Sequence, residues 1–244
     1  MVRNICVVVL GLLLGACATE PFAPPASENW KSDEYVGLPK GESIILLLPD
    51  EGEGVGLLSE QLGVQLKQLG YKPARLEPQN YQLIWAQEVA AVGGVYDSTT
   101  GKLRKEAYAL AQARLAVRIS RETGAAMVLQ AGLTVRPAKL QKDRAIWDGQ
   151  ARILSYRNPI DRWEYDYRGG TKALSVELKA RSSNGAPIFL SYGGVSVVYA
   201  FDSKEAKAKV RKDLFSDSQE MASGVREALR PLSSPTEFAK ERRP

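Results

Sequence analysis

Histidine is absent from this chain of 244 residues, and its two cysteines, Cys6 and Cys17, sit at the extreme start. Everything after position 17 therefore lacks an imidazole, a thiol and a disulfide. That excludes Ser-His-Asp and Cys-His catalysis, zinc sites of Cys/His type, and haem ligation by either residue. An excess of one charge is also missing: 33 basic and 28 acidic residues leave a net charge of +5. No run of five or six like charges occurs, so no nucleic-acid partner is expected. The densest basic stretch, Lys240-Glu241-Arg242-Arg243, reads as a frayed tail. Missing too is an apolar run of roughly 20 residues, the length needed to cross a bilayer. What is present is ordinary globular material, 44% hydrophobic and 25% charged, enough to bury one sizeable core. Aspartate, glutamate, lysine and tyrosine remain as the available chemistry. No cofactor or metal is expected.

The start is laid out as a leader. Arg3 precedes the apolar stretch Val7-Val8-Val9-Leu10-Gly11-Leu12-Leu13-Leu14, and small residues follow. Leu14-Gly15-Ala16-Cys17 resembles the lipobox of bacterial lipoproteins, in which the cysteine is acylated and becomes the new N-terminus. The resemblance implies a signal peptide over 1–16, lipidation of Cys17, and a membrane reached through that anchor. An ordinary secretory signal containing a cysteine is the plainer alternative. Position 18 is Ala18 rather than the aspartate linked to inner-membrane retention, so the periplasmic face of the outer membrane is the expected location. Residues 17–41, with four prolines and little apolar periodicity, read as a spacer behind the lipid.

Residues 42–231 read as a single mixed α/β domain, and 232–244 as a polar tail. Ile44-Ile45-Leu46-Leu47-Leu48 suits a strand buried on both faces. Val55, Leu58, Leu62, Leu66 and Leu69 mark one face of a helix that Gly70 stops. A second strand over 71–76 completes a β-α-β start, and a helix follows Pro78 through Trp85 and Val89. The spacing predicts a long helix over 103–122, with Tyr108, Ala111, Leu115 and Ile119 on its buried face. The period then changes to two. Met127 through Val135 forms one alternating run, and Ala145, Trp147, Gly149, Ala151 and Ile153 a second. In the third, Leu174, Val176, Leu178 and Ala180 alternate with Ser175, Glu177, Lys179 and Arg181. Asn184-Gly185 predicts a hairpin turn into 188–199. Helices are expected over 203–213 and 217–229, the latter capped by Ser216 with Gln219 three residues on. The resulting fold class is a mixed sheet, β-α-β followed by antiparallel strands, covered by helices.

This order resembles a group of envelope lipoproteins. The features that carry the resemblance are the lipobox, the proline-rich spacer, "SIILLLP", a helix, and "GAAMVLQAGLTV" before a hairpin with wet and dry faces. The group includes the curli secretion lipoprotein, the lipoprotein activator of a penicillin-binding protein and the Pel polysaccharide lipoprotein, with a domain likened to an anticodon-binding domain. The resemblance implies a non-enzymatic, often self-associating part of an envelope machine. It departs from the group in the long excursion 158–170. It also lacks the two extra amphipathic hairpins with which the curli pore enters a membrane, which argues against a pore.

Three segments invite a chemical reading. Gly54-Val55-Gly56-Leu57-Leu58-Ser59, with Glu77 beyond the next strand, approaches a dinucleotide fingerprint. Its third glycine is a serine, and Asp50, Glu51 and Glu53 place negative charge where a pyrophosphate would lie. The plainer account is a strand-to-helix turn. The segment 156–168 interleaves Tyr156, Arg162, Trp163, Tyr165 and Tyr167 with acids, a mixture suited to a protein interface. It also suits a glycan surface, and the plainer account is a strand whose Trp163, Tyr165 and Tyr167 cover the core. Glu164 and Asp166 would be the acids of a carboxylate-based cell-wall glycan hydrolase, the rival reading. The loop 93–101 is either a partner contact or a connector between helices. The expected function is that of a non-enzymatic assembly or regulatory subunit of an envelope protein complex, with self-assembly into a ring as a further alternative.

Overall fold

The computed structural model describes residues 29–154, 167–202 and 207–233. In chain order the strands and helices are β1 (Trp30–Lys31), β2 (Ser43–Leu47), α1 (Val55–Gln68), β3 (Lys72–Arg75), α2 (Pro78–Ala91) and α3 (Lys105–Thr123). There follow β4 (Met127–Lys142), β5 (Arg144–Trp147), β6 (Gln150–Ile153), β7 (Tyr167–Ser182) and β8 (Pro187–Val197). The chain continues through β9 (Tyr199–Asp202), β10 (Lys207–Val210), α4 (Ser218–Ala228) and α5 (Arg230–Ser233). The main sheet runs β1-β8-β7-β4-β2-β3. β2 is parallel to both β3 and β4, whereas β4, β7 and β8 are antiparallel. The expected mixed α/β class is the one observed.

Alternation explains the layering. Met127, Leu129 and Ala131 of β4 and Leu174, Val176 and Leu178 of β7 join Leu58, Leu62 and Leu66 of α1 and Met221 and Val225 of α4 in one core. The opposite face carries Val128 with Ile45 and Leu47, against Ile84 of α2 and Leu115 and Ile119 of α3. Thus β2 is buried on both sides, as its unbroken apolar run predicts. Each leucine buried this way is worth roughly 2 kcal/mol.

Further along the second face the sheet is covered by the β5–β6 hairpin. Its small core joins Ala145 and Trp147 to Ala138, Ala173 and Val197. One alternating strand over 145–153 is the sequence expectation; the chain instead turns at Asp148-Gly149, with Trp147 opposite Gln150. A two-residue turn reverses the parity, so Ala151 and Ile153 point outward while Gln150 and Arg152 are partly covered. The helix expected over 203–213 is another departure: Lys207–Val210 pairs with Tyr199–Asp202 as a hairpin, and residues 203–206 lie outside the described set. Cross-strand pairing there outweighs the helical preference of Ala and Lys. The last long helix is capped by Asp217 rather than Ser216; its carboxylate accepts from the N–H groups of Gln219 and Glu220.

Residues 29–41, expected within the spacer, run along the sheet. β1 adds to β8, the Tyr192 N–H donates to Asn29 Oδ1 at 2.9 Å, and Tyr35 packs on Phe189. Tyr71 donates its hydroxyl to the Leu38 carbonyl at 3.2 Å.

Candidate functional site

Of the residues singled out for partner binding, Tyr156, Arg162, Trp163 and Tyr165 lie outside the described set, as does Cys17. Tyr167 opens β7, where its backbone pairs with Lys142 at the far end of β4. The other stem of the segment ends at the same place: the Leu154 N–H donates to the Asp143 carbonyl at 2.8 Å. Both stems of 155–166 are therefore fixed to the tip of the 16-residue β4–β7 ladder. Further down the ladder from its tip, Val135, Pro137, Lys172 and Tyr199 line an open groove of about 740 Å³. Val135 and Val210 are more than half exposed, and Ile146 and Ile153 stand on the outer face of the β5–β6 hairpin.

Beneath that hairpin is a polar cluster that the sequence pattern did not suggest. Arg136 Nε donates to Asp148 Oδ2 at 2.8 Å, both side chains being about one-tenth exposed. Ser175 Oγ donates to the same oxygen at 2.7 Å. The Arg136 guanidinium lies 3.8 Å from the Tyr192 ring centroid, and the Tyr192 hydroxyl donates to Glu177 Oε2 at 3.0 Å. Lys179 Nζ stands 2.6 Å from Glu177. Trp147 Nε1 donates to the Leu174 carbonyl, and the Gly194 N–H to that of Asp148. Asp148 has φ 37°, a conformation that Asp tolerates better than most residues. Chemically the cluster is a clamp. Among the described residues, the hydroxyl that reaches Asp148 is that of Ser175, and it donates to a carboxylate already bonded by Arg136. The legible signal was Asp148-Gly149, a hairpin dipeptide; nothing in the pattern marked Arg136, Ser175 or Tyr192.

Gly193, Gly194 and Gly224 allow the hairpin and α4 to grip β8 from its two faces. A Cβ on Gly193 would collide with the Gly224 carbonyl oxygen. One on Gly194 would lie 2.8 Å from the Trp147 ring, and one on Gly224 2.6 Å from Val195. Ser191 Oγ donates to the Ala228 carbonyl on the α4 side.

The glycine-rich start of α1 has a packing explanation. Gly54 caps the helix at φ 81°, and a Cβ there would sit 2.7 Å from Phe215 and 3.0 Å from Leu133. Phe215 and Leu133 thus occupy the space beside this glycine. Glu77 is the N-cap position of α2. The 93–101 loop is internally tied. Asp97 Oδ1 accepts from the Thr99 and Thr100 N–H groups and the Thr100 hydroxyl. Arg104 reaches back to the Gly93 and Gly94 carbonyls. The bonds from Thr100, then Thr99, hold the Asp97 carboxyl below its usual range. A second acid held low is Asp213, through its hydrogen bonds from Arg211.

The described residues contain no group of three or more acidic side chains placed to hold a metal ion. No described helix is long and apolar enough to cross a membrane. The fold and clamp together define a mixed α/β domain with helices on one face and a helix-plus-hairpin cover on the other. No family model matches the chain, and no curated protein matches it. Among solved structures, a PelC dodecamer from Paraburkholderia phytofirmans is similar at a TM-score of 0.37 and 12% identity, covering 84% of this chain and 97% of that one. The likeness is loose.

Proposed function

We propose that this protein is a lipoprotein of the outer membrane's periplasmic face, serving as a non-enzymatic assembly or regulatory subunit of a cell-envelope complex in secretion, polysaccharide export or wall synthesis. The observation that carries the reading is Leu14-Gly15-Ala16-Cys17 behind a short apolar run. The position of β1 adds reach. Pairing on β8 begins at Trp30, so the chain from Cys17 spans at most about 45 Å whatever its conformation. Acyl chains on Cys17 supply stable anchoring, since several chains hold where one is marginal. The tip of the β4–β7 ladder, from which the Tyr156, Arg162, Trp163, Tyr165 and Tyr167 segment departs and returns, is the surface offered to the partner.

Affinity capture from envelope membranes, comparing the wild type with Cys17→Ala by mass spectrometry, tests the reading. It is supported by reproducible co-purification of an envelope machine that weakens without the anchor, with acyl mass on Cys17. Absence of that mass, with no partner in either sample, overturns it. In the same assay, Trp163→Ala with Tyr165→Ala abolishes capture while the domain stays folded; retained capture would remove the segment from the interface.

A further inference from the structure

Helix α3 buries Ala111, Leu115, Ala116 and Ile119 and turns a second apolar stripe to solvent. Leu110 is 54% and Val117 39% exposed on that stripe. At the head of the helix Leu103, 43% exposed, is bridged to Tyr96, 63% exposed. Glu106, Leu110, Arg114 and Val117 recur at helical spacings of four, four and three, so they share one face. Isolated apolar residues at a surface are ordinary; a stripe with symmetric charges is not.

We propose that this face binds a second copy of the chain, with two α3 helices packed antiparallel about a twofold axis at Leu110. The argument is self-complementarity. Glu106 and Arg114 lie four residues to either side of Leu110, so in an antiparallel pair each Glu106 meets the second copy's Arg114, twice by symmetry. Leu110 meets itself, and Val117 falls toward the Tyr96–Leu103 bridge. Both charged residues are exposed. Arg114 bonds Glu88 through Nε at 2.7 Å, and among the described residues its Nη groups make no bond. They remain for a second carboxylate, a use for which the guanidinium fork is suited. A parallel pair would instead set Glu106 against Glu106 and Arg114 against Arg114. The face is independent of Cys17, so this inference and the lipoprotein reading fail separately.

The chain's own cysteines, Cys6 and Cys17, are replaced by serine in the full-length parent chain, so that each added cysteine is the single one and cross-linking is a direct test. Leu110→Cys is expected to give a disulfide-linked dimer under mild oxidation that the parent chain does not give. Two further variants fix the register: chains with Leu103→Cys and chains with Val117→Cys cross-link when co-expressed, and neither does so alone. In the Leu110→Cys background, Glu106→Arg sets arginine against Arg114 and lowers the cross-linked fraction on the order of tenfold, whereas Glu106→Asp retains it. A monomeric Leu110→Cys chain with an unchanged thermal melt overturns the proposal. So does a cross-link indifferent to Glu106→Arg, or a Leu103→Cys chain that links to itself.

Discussion

Asp148 holds the most consequential side-chain contacts in the described structure. Its carboxylate takes bonds from Arg136 and Ser175, and its backbone makes the turn that lays the β5–β6 hairpin on the sheet. Removing one member of a nearly buried ion pair strands the other, typically at about 3 kcal/mol or more. Asp148→Ala is therefore expected to lower unfolding stability by about that amount, seen as a reduced urea midpoint. Asp97 gives a pH prediction. Its folded pKa lies below the ordinary 3.8, so its contribution is present above that value and lost as the pH falls through the lower, folded one. The Thr99 and Thr100 amide resonances are expected to shift together in that acid range. In Asp97→Ala, both lose protection at neutral pH.

Between elements, the gripping of β8 sets the tolerances. Gly193→Ala drives a methyl into the α4 backbone at Gly224, which cannot yield without moving the helix. Gly224→Ala meets a Val195 methyl at 2.6 Å and the Gly194 and Gly193 carbonyl oxygens at 3.0 and 3.1 Å, a milder approach than that of Gly193 to the Gly224 carbonyl oxygen, and it regains about 1 kcal/mol of helix propensity. The expected order is a loss of about 3 kcal/mol for Gly193→Ala and a clearly smaller one for Gly224→Ala, read from paired thermal melts. Asp217→Ala removes the α4 cap and costs about 1 kcal/mol in the same measurement.

Across the whole molecule, the approach from the N-terminus is part of the fold. Tyr35 lies on Phe189, which is almost fully buried, and burial, followed by the neighbouring Tyr71, pushes the Tyr35 hydroxyl's pKa far upward. Deleting residues 29–35 leaves β8 without β1 and uncovers Phe189. Such a chain is expected to lose about 2 kcal/mol and to associate through the bared edge, measurable by urea denaturation and light scattering.

Local pattern was enough for β2, α1, β3, α2, α3, the Leu174–Ala180 alternation and the Asn184-Gly185 hairpin. In each, the period of apolar residues and a nearby Gly or Pro speak for the same element. Where the pattern misled, the deciding contact lay far along the chain. Residues 207–210 became a strand because residues 199–202 were there to pair with. The apparent continuity of 145–153 was broken at Asp148-Gly149, a hairpin dipeptide that the run of alternating apolar residues masked. Residues 29–41 look like spacer until Phe189 and Tyr71 come beside them. The Arg136–Asp148–Ser175–Tyr192 clamp joins four strands or turns with no shared spacing, and the triple-glycine contact requires α4 to return from the end of the chain. Short-range periodicity encodes which face of an element is apolar; which distant element covers that face follows from packing in three dimensions, where sequence separation carries no weight.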